Sequence, residues 1–215
     1  QSRFIRSSTF TNNVYTLAEI QTCEQGAVHH DGVQAIQFSH RSDYVDFGKL
    51  NPGDHFTVEM RVQFNGINLF NTLIEAVDMR DYRNDFYIGY DQGRWQVEIM
   101  DNSRWEQDSC GHPSTLCVPA TLALHQTYDI AVTITPTSMQ LMVNGVVLGS
   151  RAIDVKPVFG DRVKWVVGAD TDTGSFTSDQ LYGTVADLRI WSSNLPEGQL
   201  FCARDYEVAP SSTLY

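Results

Sequence analysis

Two carboxyl pairs stand close enough in the chain to suggest hydrolytic chemistry: Glu75 with Asp78, and Glu98 with Asp101. Cleavage of a glycosidic bond needs carboxyls roughly 5–5.5 Å apart for retention, or about 6.5–9.5 Å apart for inversion. Residues three apart on a strand point to opposite faces, so neither pair can flank one bond from a strand. A nucleophilic triad has no frame either. Ser, His and Asp are all present, but no G-x-S-x-G elbow is. Cys110-Gly-His112 has Cys117 nearby, which makes a disulfide the simpler reading of that thiol. His29-His30 has no third ligand at fixed spacing and reads as a polar surface pair. Asp170-Thr-Asp172-Thr-Gly-Ser-Phe-Thr-Ser-Asp179 opens like a D-x-D-x-G calcium loop, with Asp170 and Asp172 as oxygen donors. It lacks the Glu at position twelve and sits between strands, so its other reading is a plain polar loop.

Recognition of a sugar calls for an aromatic ring to stack on and planar polar groups to meet hydroxyls. Two polar stretches offer both. Asp78-Met-Arg-Asp-Tyr82-Arg83-Asn84-Asp85 carries one aromatic, and Asp101-Asn102-Ser-Arg104-Trp105-Glu106 carries another. The expected ligand-binding residues are therefore Asp78, Tyr82, Arg83, Asn84, Asp101, Asn102, Arg104 and Trp105. Trp105 lies outside any alternating run and is the expected stacking platform, the alternative being a ring folded back on its own sheet edge. Trp95, Trp165 and Trp191 fall in strand patterns and read as packing residues.

The elements that must position these residues are strands. Phe56, Val58, Met60, Val62 and Phe64 alternate with Thr57, Glu59, Arg61 and Gln63. The same period of two runs through Trp95, Val97 and Ile99, through Tyr128, Ile130, Val132 and Ile134, and through Met139, Leu141 and Val143. Such alternation packs one face on a core and turns the other to water or a ligand. Weaker strand patterns cover 33–38, 43–47, 71–77, 85–90, 163–168 and 181–191. Asn144-Gly145 is the strongest hairpin signal, and Thr135-Pro-Thr-Ser and Asp91-Gln-Gly read as two more turns. Short helices are expected over 14–25 and Leu195–Phe201. About ten short strands with little helix predict an all-β, antiparallel two-sheet sandwich.

A chain of 215 residues exposes roughly 35,000 Å² unfolded and about 10,000 Å² folded, ample for its own core. No linker-like stretch or repeat divides it, so 1–215 is expected to be a single domain. Apolar residues make up 42% and charged residues 19%, too apolar for a disordered chain and too short of charge for a helical bundle. A net charge of −11 argues against nucleic acid, whose phosphates require clustered Lys and Arg. No run approaches eighteen apolar residues, so no helix is expected to insert in a membrane. The four cysteines match no zinc or redox spacing. One distant and one local pair read as two disulfides, with Cys23–Cys202 and Cys110–Cys117 favoured among three connectivities. The chain-entropy model gives about 5 and about 2.5 kcal/mol for the two loops. Disulfides point to a secreted, extracellular protein, and an opening Gln1 without Met fits a mature product after signal removal. The competing reading is four buried thiols in a cytosolic domain.

Four segments in order then resemble a known family. Ile36-Gln-Phe-Ser-His-Arg-Ser-Asp-Tyr-Val-Asp-Phe-Gly resembles the opening strands of laminin-G-like and pentraxin-like jelly rolls, with His40 and Ser39 where Gly and Asp are usual. Phe56-Thr-Val-Glu-Met-Arg-Val is similar to their next strand, with Met60 for an aromatic. Tyr128-Asp-Ile-Ala-Val-Thr-Ile and Met139-Gln-Leu-Met-Val-Asn-Gly-Val resemble their long hairpin, with Asn144 for the usual Asp. Gly183-Thr-Val-Ala-Asp-Leu-Arg-Ile-Trp-Ser-Ser-Asn-Leu-Pro is similar to their last strand. The resemblance spans about 28–201 and implies the concanavalin A-like lectin/glucanase jelly roll. Its implied function is a secreted, non-catalytic module binding a glycan or glycoprotein through the loops 78–85, 101–106 and 170–179 at one rim. The alternatives it leaves are an extracellular adhesion module and a polysaccharide-cleaving hydrolase. Glucanases of this fold carry E-x-D-x-x-E on a strand, whereas the only E-x-D here is Glu106-Gln-Asp108, without a third acid. The resemblance also implies Ca²⁺, at Asp31 and Asp187 beside Gly32. It brings Cys23 to Cys202 through neighbouring first and last strands, and leaves Cys110–Cys117 to clip an insertion over 101–120.

Overall fold

The computed structural model describes residues 14–15, 35–40, 43–78, 83–99, 109–171, 179–195 and 200. Thirteen strands form two sheets. The seven-stranded sheet is built from β1 (Val14–Tyr15), β2 (Ala35–Phe38), β4 (Phe56–Gly66), β9 (Thr127–Thr135), β10 (Ser138–Val143), β11 (Val146–Ala152) and β13 (Tyr182–Trp191). Its order is β1-β13-β4-β9-β10-β11, with β2 also on β13; β1 is parallel to β13 and every other pairing is antiparallel. The six-stranded sheet contains β3 (Val45–Gly48), β5 (Thr72–Asp78), β6 (Arg83–Asp91), β7 (Arg94–Ile99), β8 (Thr115–Pro119) and β12 (Val163–Val167). Its order is β3-β12-β5-β6-β7-β8, antiparallel throughout. A single 3₁₀ turn, Ser109–Gly111, is the only helix among the described residues.

The alternation seen in the sequence does the work of joining the sheets. Phe56, Val58, Met60, Val62 and Phe64 on β4 are buried against the facing sheet, with Trp95 and Trp165 fully enclosed opposite them. Phe56 meets Phe86 edge-on at 5.1 Å, and Phe64 meets Trp95 at 6.0 Å. Each such side chain contributes about 1.5–3 kcal/mol by leaving water. Trp191 differs from the other two strand tryptophans. It packs on the outer face of the seven-stranded sheet with Ala131, Met142, Leu195 and Leu200, its Nε1 donating to Glu59 at 2.6 Å.

All three anticipated turns are hairpins. Asn144-Gly145 and Gln92-Gly93 both have positive φ at two successive residues, the conformation that matches the twist of the strands they join. Two elements depart from expectation. Val14–Tyr15 pairs with Ile190 and Trp191 as a strand, so the helix expected over 14–25 does not begin there; residues 16–25 lie outside the described ones, as do most of Leu195–Phe201. The segment 101–120 is not wholly a loop. Thr115–Pro119 pairs with β7, because Leu116 turns to the core while Thr115 and Cys117 turn away, a short alternation of its own. Cys110–Cys117 is a disulfide and clips the 3₁₀ turn to this edge strand. Cys23 and Cys202 lie outside the described residues.

Candidate functional site

On the six-stranded sheet, the face turned away from the other sheet is polar. The period of two places Glu75 of β5, Tyr87, Gly89 and Asp91 of β6, Gln96 and Glu98 of β7, and Thr115 and Cys117 of β8 together there. Cross-strand register then aligns them: Glu75 is opposite Tyr87, Tyr87 opposite Glu98, and Glu98 opposite Thr115. Glu75 and Glu98 are two strands apart, so their Cα atoms are separated by about 10 Å. All of these residues are buried except Cys117, which is half-buried.

Hydrogen bonds explain how buried carboxyls are tolerated, and two of these acids, Glu75 and Asp91, also tie a connection to the face. The Glu75 carboxylate accepts from both the backbone N–H and the hydroxyl of Thr171, at the start of the β12–β13 connection. Glu98 accepts from the Thr115 hydroxyl at 3.2 Å and from the Gln96 amide at 3.3 Å. Asp91 accepts from the Asn71 N–H at 2.9 Å, holding the β4–β5 connection, and from the Tyr87 hydroxyl at 2.7 Å. Tyr87 reaches Asp91 by leaning along its strand over Gly89. A Cβ at residue 89 would lie 2.0 Å from the Tyr87 oxygen, so only glycine leaves room. Burial pushes the Asp91 carboxyl up to about 6, with the charge of Asp179 adding to it and the bonds from Asn71 and Tyr87 opposing it. Burial, then the charges of Asp91 and Asp170, holds the Tyr87 phenol well above its ordinary range. The outer-face acids thus act as acceptors that fix connections, not as groups presented to solvent.

The residues expected from sequence fall into three sets. Asp78 is the buried last residue of β5, opposite Val163 and Arg83, and Arg83 and Asn84 begin β6. The anticipated loop 78–85 is therefore a four-residue connection, because the antiparallel register runs on to Asp78 and Arg83. Tyr82, Asp101, Asn102, Arg104, Trp105, Asp31 and Asp172 lie outside the described residues. The anchors of the three proposed loops also do not share one rim. Asp78, Arg83 and Ile99 end strands at one end of the six-stranded sheet, whereas Thr72, paired with Gln180, lies at the other.

Two of the four expected cation ligands, Asp187 and Asp170, lie among the described residues. Asp187, in a bulge of β13 with φ 50°, has its carboxylate 3.2 Å from the Arg61 guanidinium, which also binds Asp129 at 3.0 Å. Asp170 lies near enough to Tyr87 for its charge to act there. Among the described residues no group of three or more His, Cys, Asp or Glu is arranged to hold a metal ion, and Asp31 and Asp172, the expected partners of Asp187 and Asp170, lie outside them. The face that joins Glu75 to Glu98 was missed in sequence because each acid was paired within its own strand. The available signal was the polar alternation Tyr87-x-Gly89-x-Asp91 and Gln96-x-Glu98 in strands whose other face is apolar.

The comparisons with known proteins agree with this architecture. Residues 37–200 match the description of the concanavalin A-like lectin/glucanases superfamily, and the chain belongs to that family. No curated protein matches the sequence. Among solved structures, the chain is similar to the carbohydrate-binding module CBM40 of the Ruminococcus gnavus IT-sialidase, bound to α2,3-sialyllactose. The TM-score is 0.63 at 15% identity, covering 84% of this chain and all of that one. It is also similar to the heptameric SAP-like pentraxin of Limulus polyphemus, with TM-score 0.55 at 17% identity over 75% of each chain. Domain 4 of the extracellular arabinanase AbnA of Geobacillus stearothermophilus, in complex with arabinotriose, gives 0.53 at 13% identity, covering 81% and 79%.

Proposed function

We propose that this chain is a secreted, non-catalytic carbohydrate- or glycoprotein-binding module of lectin type. One observation carries the reading. Glu75 and Glu98, aligned across the outer face of the six-stranded sheet, are buried and bonded to threonine hydroxyls, Glu75 to Thr171 on the β12–β13 connection and Glu98 to Thr115 on β8, instead of flanking an open cleft. The connections so fixed are the parts of a rigid sandwich best suited to recognise a ligand. Further support comes from the fold shared with a sialyllactose-bound module and an arabinotriose-bound domain, and from the Cys110–Cys117 disulfide, a bond favoured outside the cytosol. Ca²⁺ enters this proposal only as a staple, either through Asp31 and Asp187 or through Asp170 and Asp172. A melt several degrees higher in Ca²⁺ than in EDTA supports that role, and superimposable melts remove it. A glycan array tests the main proposal: retention of at least one glycan class is expected, and an empty array from folded protein contradicts it. Reducing ends appearing from β-glucans or galactans would instead favour hydrolysis through Glu98, Asp101 or Glu106.

A further inference from the structure

At the end of the sandwich where β4 stops and β13 starts, uncharged side chains are exposed together. Tyr182 is 44% exposed and lies across from Gly66 in the β13–β4 register. A Cβ on Gly66 would lie 2.7 Å from Cδ1 of Tyr182, so the ring rests on glycine backbone and a larger residue would lift it. Ile67 and Leu69 follow on the β4–β5 connection, and Leu124 precedes β9, all three exposed. These are four of the eight large apolar side chains exposed among the described residues. Hydrogen bonds make three connections one surface. The His125 N–H donates to the Phe64 carbonyl at 2.8 Å, His125 Nδ1 is 3.3 Å from Asn65 Oδ1, and Asn68 Nδ2 donates to the Gln180 carbonyl at 3.0 Å. From behind, fully buried Asn71 bonds Asn68 in both directions and the Tyr90 carbonyl. The surface is preformed, which lowers the ordering cost of binding.

Its chemistry is selective. No residue in 63–71, 120–127 or 180–182 is Asp, Glu, Lys or Arg, in a chain where 19% are. Asp91 is buried and bonded to Asn71, and Asp179 is half-buried before Gln180. Arg94 is bonded to Gln92 at 3.4 Å, and Arg61 to Asp129 at 3.0 Å. A flat ring, amides, an imidazole and no Lys or Arg suit a sugar with apolar ring faces and hydroxyls, and supply no guanidinium or ammonium to pair with a carboxylate. A net charge of −11 repels anionic sugars further.

We infer that this end is a saccharide site, specific for uncharged sugars, with Tyr182 as the stacking platform and Asn65, Asn68 and His125 meeting hydroxyls. The inference rests on the reading that the chain binds saccharides. The test is calorimetric titration of the intact, oxidised chain with lactose, cellotriose, arabinotriose and 3′-sialyllactose, on wild type, Tyr182→Ala and Tyr182→Phe. Far-UV circular dichroism and melts confirm that each variant is folded. At least one neutral probe is expected to bind, with Tyr182→Ala weakening it by about tenfold or more and Tyr182→Phe by under about threefold. The binding should be unchanged from about 50 to about 500 mM salt, since no ion pair is made. Neutral binding untouched by Tyr182→Ala overturns this site and leaves the general reading standing. Sialyllactose binding tighter than lactose, and lost with Tyr182→Ala, overturns the ligand class. No binding by any probe, together with an empty array, overturns both.

Discussion

Asp91 shows how a single carboxyl organises this fold. Its folded value near 6 stands above the ordinary 3.8, so the native state holds the proton more tightly than the unfolded chain does. The associated stability is therefore fully present below about pH 4 and is lost as pH rises through about 6. Asp91→Asn has no such titration. Between pH 4 and 7.5 wild type is expected to lose stability relative to this variant, on the order of 3 kcal/mol, read from urea midpoints at each pH. A constant difference across that range would mean Asp91 does not titrate as the burial implies. Gly89→Ala tests the same cluster sterically. Its Cβ strikes the Tyr87 oxygen, so a cost of about 1–3 kcal/mol is expected in denaturant unfolding, with Tyr87→Phe, Gly89→Ala no better than the single variant if the ring itself is displaced.

Strands and turns were largely legible before any coordinates. The turn Asn144-Gly145 reads as a hairpin because Asn and Gly are the residues that most readily take positive φ at both central positions. Gly145→Ala is expected to lose about 1–2 kcal/mol, since an L-residue must take the left-handed conformation there. Asn144→Ala should cost more than a surface change, because Asn144 also accepts the Asp129 N–H at 2.8 Å. β8 was not legible: four alternating residues inside a polar segment look like loop until β7 is there to pair with them. Removing its clip by Cys110→Ser, Cys117→Ser should cost about 2.5 kcal/mol, measured against the reduced wild type as well as the oxidised one. Val14–Tyr15 is not legible as a strand because two residues have no periodicity to show, and Ile190 and Trp191 supply its partners. The Glu75–Tyr87–Glu98 row was hidden for a related reason. Spacing along one strand fixes which face a residue takes, but proximity across strands depends on register, which no local pattern states.

For the molecule as a whole, an acidic jelly roll of the concanavalin A-like superfamily is an architecture on which many binding sites have been built, so function must be argued from the surfaces. Here one sheet face is sealed by buried acids that hold connections, and one end exposes an uncharged platform. Both accord with the proposal of a module that grips a sugar and releases it intact. Affinity capture tests this most directly. A defined mixture of neutral and sialylated oligosaccharides is passed over the immobilised, oxidised chain, and the retained and eluted fractions are weighed by mass spectrometry. At least one oligosaccharide should be retarded and recovered at its original mass. Uniform flow-through from folded protein, or recovery of shortened saccharides, would contradict the account.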